Sequence, residues 1–235
     1  MKDYLSFPKY SKNESILAIC YYIYLIFLVL VYWHIIKYVL NSSSFLLVGL
    51  NKVIFKLTIG FIMVFFELIP LYILLKKFNN SLKSVGINFS NILMDCIKGI
   101  LFFIPIIFIY TFCFRLKYSI NFNLTLIIDT FILLVQVALV EEIIFRGYLQ
   151  SRISCLIKNK FLSIFLVSLM FALIHLCQYI PFPNIDRFLV TSLIIQSATY
   201  CISHFYYTFI CAKSNSIFAS TITHFLKDLL LSTKI

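Results

Sequence analysis

Two adjacent carboxylates, Glu141 and Glu142, end the mostly apolar run 124–140, and an arginine, Arg146, follows one helical turn later. A charge at the centre of a membrane helix costs roughly 2.5–3.5 kcal/mol on insertion scales, so it persists where it is buried, paired or used. Spacing separates the two acids. Glu142 and Arg146 are four apart with the acid first, so they share a helix face and can pair. Glu141 points about 100° away and is left without that partner, available for acid–base chemistry. The competing reading is an ion-pair cluster of all three residues at a membrane border.

Two further pairs lie downstream. Phe171 and His175 are four apart on one face of an apolar helix. Read singly, such a histidine is a hydrogen-bonded packing residue. His224 and Asp228 are again one turn apart. They read either as a local histidine–carboxylate bond that ties helices together or as two polar groups entering one cavity. His204 has no acid three or four residues away and reads as structural or interfacial. If the helices carrying Glu141, His175 and His224 pack together, a carboxylate, two imidazoles and Asp228 meet in a wet pocket within the bilayer. Such a set can activate water and stabilise an oxyanion, which amide hydrolysis requires.

The rest of the chain must position these groups in lipid. It has 235 residues, 62% hydrophobic and 12% charged, where a soluble domain is about a quarter charged. The fold class is therefore all-α, a polytopic transmembrane helical bundle of about seven spans at roughly twenty residues each, within a range of six to eight. The net charge of +11 sits in short loops, where membrane topology and anionic lipid call for it, and does not point to nucleic acid. The seven cysteines are scattered and form no C-x-x-C pair, which argues against a disulfide frame or a zinc knuckle.

Hydropathy places spans at 16–36, 57–75, 91–114, 124–150, 161–179, 187–212 and 215–231. The first is a retained span with an aromatic anchor, Tyr32–Trp33, rather than a cleaved signal peptide. Pro70 predicts a kink in the second. Residues 45–56 either lie at the interface or extend that helix. Residues 76–90 form a polar, basic linker. Arg115 and Lys117 close the third span, 151–160 reads as a short basic loop, and Pro181 and Pro183 stop the fifth span. On this pattern, 1–120 are N-terminal helices with the linker, and 121–235 carry the chemistry. The Lys and Arg distribution favours a cytoplasmic N-terminus, with Glu141 near the cytoplasmic end of its helix; a bacterial plasma membrane is the expected location.

The ordered motifs Glu141-Glu142-x-x-x-Arg146, Phe171-x-x-x-His175 and His224-x-x-x-Asp228 make the chain similar to the CPBP family of intramembrane proteases. That family includes the CAAX prenyl endopeptidases and proteins linked to bacteriocin self-immunity. The first match continues through Gly147, Leu149 and Gln150, and the resemblance covers about 129–235. It implies an intramembrane endopeptidase acting on a membrane-associated, prenylated or leader-type peptide. Glu141 with His175 would position and deprotonate the attacking water. His224 with Asp228 would stabilise the oxyanion, and Glu142, Arg146 and Phe171 would support the site. Many relatives carry Asn where this chain has Asp228. Asn donates to an oxyanion directly, whereas an ionised Asp would orient His224 instead.

Glu141, His175 and His224 could hold zinc or another divalent metal with an open position. A Glu–His pair can also activate water alone, and no H-E-x-x-H helix is present, so the route without a cofactor is the favoured expectation. The expected partners are membrane lipid and a peptide or protein substrate; oligomeric state has no signature. Two other classes compete: a non-enzymatic immunity or scaffold protein on the same fold, and a transporter or proton relay using Glu67, Asp95 and Asp129.

Overall fold

The computed structural model describes residues 10–42, 49–113, 124–157, 159–179 and 187–233. Arg115, Lys117, Pro181 and Pro183, which the sequence reading uses to close two spans, lie outside them. Among the described residues all regular structure is helical. Helix α1 is Lys12–Ser42 and α2 is Gly49–Lys77. Two short 3₁₀ turns, Leu82–Val85 and Phe89–Asn91, precede α3, Ile92–Phe108, which continues into a π-turn at Ile109–Cys113. Helix α4 runs over 124–156 in alternating stretches: α at Leu124–Phe131, π at Ile132–Ala138, α at Leu139–Glu141, π at Glu142–Leu149 and α at Gln150–Leu156. The junction residues Phe131, Leu139, Glu142 and Leu149 all keep right-handed helical dihedrals, so this is one continuous rod. Helices α5 (Lys160–Leu176), α6 (Arg187–Ser214) and α7 (Ile217–Ser232) complete the chain.

Several expected boundaries shift. Residues 49–56 extend the second helix. Helix α4 continues to Leu156, so the first half of the expected basic loop 151–160 is helical. The polar residues that open this last stretch are turned inward. Ser151, Arg152 and Ile153 are all buried, because the protein supplies partners for the polar ones.

Among the described residues four segments are long and apolar enough to cross a membrane: Lys12–Val39, Asn51–Lys77, Phe89–Cys113 and Lys160–Tyr179. Apolar side chains such as Phe27, Phe65, Leu93 and Phe112 stand exposed on three of them, as a surface solvated by acyl chains requires. The protein is an integral membrane protein. Local chemistry sets the helix starts. Ser11 Oγ accepts from Glu14 N at 3.2 Å, Asn159 Oδ1 from Leu162 N at 3.1 Å and Ser216 Oγ from Phe218 N at 3.2 Å. Each cap satisfies a backbone donor that the first turn leaves open.

The chain divides into two compact units, Met1–Asn79 with Tyr148–Tyr206, and Asn80–Gly147 with Tyr207–Ile235. In the first, α1 packs on the end of α4, on α2 and on α5. Tyr21 and Tyr22 donate their hydroxyls to the backbone oxygens of Glu67 and Met170, both at 2.8 Å. Arg152 is the polar centre of this unit. Its Nε donates to Glu14 Oε1 at 3.1 Å and its Nη1 to Ser151 Oγ at 2.8 Å. The guanidinium also lies 3.9 Å from the Tyr10 ring and 4.6 Å from the Tyr148 ring. A fully buried charge is tolerable with that many partners.

In the second unit α3 lies along α7, and α7 packs on the π segment 132–138. Gly99 makes the α3–α7 approach possible. A Cβ there would lie 2.7 Å from both Ala219 O and Ile222 Cβ. Thr223 Oγ1 donates to Gly99 O at 2.9 Å across the same contact. The linker is clasped as well. Ile217 N donates to Gly86 O at 3.2 Å, Val85 is fully buried, and a Cβ on Gly147 would collide with the Val85 carbonyl.

Candidate active site

Glu141, Glu142, Arg146, His224 and Asp228 belong to the second unit, and α4 and α7 bring them together. The Glu142 carboxylate is fully enclosed. Its Oε1 lies 3.1 Å from Arg146 Nη1, also fully enclosed, and accepts from His224 Nδ1 at 3.0 Å. The other ring nitrogen, Nε2, is 3.3 Å from Asp228 Oδ2 and 3.8 Å from Glu141 Oε2. Carboxylate oxygens thus face His224 on both sides.

Glu141, which the spacing sets apart from Arg146, shares the His224 Nε2 edge with Asp228. The π-winding from Glu142 onward, which the sequence did not signal, changes the angular spacing along the helix from the α value. The two acids still differ in access. The Glu141 side chain retains 23% of its exposure, against 0% for Glu142. Glu142 is tied down on two sides, while Glu141 can reach a small molecule.

Two residues of this cluster went unnoticed in the sequence. Tyr207, fully buried on α6, stacks on the His224 imidazole with centroids 4.6 Å apart and planes at 24°. Arg146 lies 5.0 Å from the same ring. With 15 tyrosines in the chain, nothing marked this one. Lys227 is buried on α7, with Nζ 3.6 Å from Asp228 Oδ1 and 5.8 Å from the Tyr207 ring. A lysine in an apolar helix was a visible signal, masked by its more suggestive neighbours.

The stretch of sequence that carries these acids and histidines has a counterpart among known families. Residues 122–230 match the family model "Type II CAAX prenyl endopeptidase Rce1-like". Over those residues the chain is similar to the CAAX protease family. No curated protein and no solved structure matches the chain. The match covers α4 to α7, the helices that carry all three motifs.

Phe171 and His175 lie in the first unit, on α5. His175 Nδ1 is 2.7 Å from the Phe171 carbonyl oxygen and donates to it. That bond makes Nε2 the acceptor nitrogen of the neutral ring. The imidazole is clamped between Phe171, at 4.5 Å, and Tyr200, stacked at 4.2 Å. The spacing of four supplies both the tautomer-fixing carbonyl and one face of the clamp. His204 is buried in the same unit, with Nε2 3.2 Å from Gln150 Oε1, and Gln150 in turn donates to Ser163 Oγ at 3.3 Å. Its place is structural.

A resident metal was tested on the donor set. Among the described residues no three His, Cys, Asp or Glu side chains are arranged to hold a cation. His224 is turned so that each ring nitrogen addresses a carboxylate at hydrogen-donating distance, which is the wrong orientation for a ligand lone pair. His224 as arranged does not fit the metal-ligand role.

Proposed function

We propose that this protein is an intramembrane endopeptidase that hydrolyses a peptide bond of a membrane-associated, prenylated or leader-type peptide without a metal. Glu141 takes the proton of the attacking water. His175, with Nε2 as acceptor, is the imidazole that the family's motif pairs with that glutamate. His224, oriented by Asp228, is the group that stabilises the oxyanion. Glu142 and Arg146 hold His224 and its helix in place. The observation that carries this reading is the unequal access of the two glutamates around one shared histidine: Glu142 is locked, Glu141 is within reach. We place the N-terminus on the cytoplasmic side of a bacterial plasma membrane, with Glu141 toward that face.

The test is cleavage of a panel of membrane peptides by the purified, reconstituted protein. Glu141→Ala and His175→Ala, folded like the parent, are expected to lose cleavage. Unchanged cleavage in both would sink the reading. Millimolar chelator is expected to leave turnover intact; loss of turnover with restoration by zinc alone would overturn the metal-free route. Cell protection from a peptide toxin that survives Glu141→Ala would point instead to a non-enzymatic immunity role.

A further inference from the structure

We propose that Lys227 is a positioning residue for His224, acting through Asp228. Lys227 sits in the middle of the His224–Asp228 turn, yet its side chain retains only 9% of its exposure. An ammonium on a long flexible stem ordinarily reaches for water. This one stays inside, 3.6 Å from Asp228 Oδ1 and above the Tyr207 ring. The two oxygens of Asp228 are therefore divided: Oδ1 faces Lys227, and Oδ2 faces His224 Nε2 at 3.3 Å.

That division settles what Asp228 can do. An ionised carboxylate only accepts hydrogen bonds, so an Asp228 held by an ammonium cannot donate to an oxyanion. It fixes the His224 ring instead. Three carboxylates, Glu141, Glu142 and Asp228, surround one imidazole. Arg146 answers Glu142, and Lys227 answers Asp228. Without Lys227, the partly buried Asp228 would lose the ammonium beside its Oδ1 and keep only the imidazole at Oδ2. Asp228 would then be free to rotate or to take up a proton, and His224 would lose its second restraint. A neutral amide at position 228 has no such charge to balance, so it removes the need for Lys227. The claim deepens the peptidase reading and rests on it for its kinetic test.

The test is a two-by-two set in the reconstituted full chain: wild type, Lys227→Met, Asp228→Asn and the double variant, with Lys227→Arg as the conservative control. Lys227→Met is expected to lower kcat by about tenfold or more, the size typical when an orienting partner is removed, with KM unchanged. Lys227→Arg should restore most of it. In the Asp228→Asn background the same Met substitution should change kcat little. An equal loss in both backgrounds, or none in the Asp228 background, would overturn the proposal. A second readout does not need turnover. The ¹⁵N resonances of His224 should shift on Lys227→Met when Asp228 is present and stay put when it is Asn, with His34, His175 and His204 as unmoved references. An absence of cleavage by the wild type would remove the peptidase reading, and the ¹⁵N comparison would still decide the Lys227 claim either way.

Discussion

Glu142 and Arg146 are each sealed from the surroundings, so each depends on the other for its charge to be tolerable. Breaking such a pair leaves an uncompensated buried charge, which costs about 3–5 kcal/mol. Arg146→Met is accordingly expected to destabilise the protein by about that amount, read from unfolding in detergent. Glu142→Met/Arg146→Met should recover part of the loss, because both charges are then gone. A single variant as stable as the parent would show that the pair is not enclosed as described. The pairing itself was readable in the sequence, since an acid four residues before an arginine in a helix is a strong local constraint. What was not readable is that His224 also binds Glu142, a contact between residues 82 apart. Spacing along a helix predicts neighbours on that helix and says nothing of what a second helix presents.

The helices were legible as apolar runs, and each of the seven expected spans coincides with an observed helix, although α1, α2 and α4 run several residues past the expected ends. The winding of α4 was not legible. An apolar helix in lipid carries no polar stripe whose period would separate i→i+4 from i→i+5 bonding. The end of α4 was misread for a related reason. Ser151, Arg152 and Ser154 look like a loop, but Arg152 is buried against Glu14, Tyr10 and Tyr148, and Glu14 lies far away in sequence. Close helix contacts leave a sharper test. Gly147 lies against the Val85 carbonyl with no room for a methyl group. Gly147→Ala should lower stability by about 1–3 kcal/mol through overpacking, measured by the same unfolding assay. No change would mean that the linker does not bear on α4.

Among the described residues, Glu14, Asp95, Glu142, Arg146, Arg152 and Lys227 are buried while many large apolar side chains stand exposed, the arrangement that lipid demands. The chain should stay with membranes through alkaline carbonate extraction and leave them only with detergent; release into the carbonate supernatant would contradict the membrane assignment. Composition made that class plain, and the three ordered motifs made the family resemblance plain. Lys227 and Tyr207 stayed hidden because their importance lies in which side chains they meet. The central claim is that an enclosed, partnered glutamate and an accessible one around a shared histidine hydrolyse a peptide bond with water. It is tested most directly by running the cleavage in ¹⁸O-labelled water and weighing both fragments. The account predicts one heavy oxygen in the new C-terminal carboxylate with the wild type, and no cleavage with Glu141→Gln. Cleavage that persists in Glu141→Gln, or fragments without the label, would contradict it.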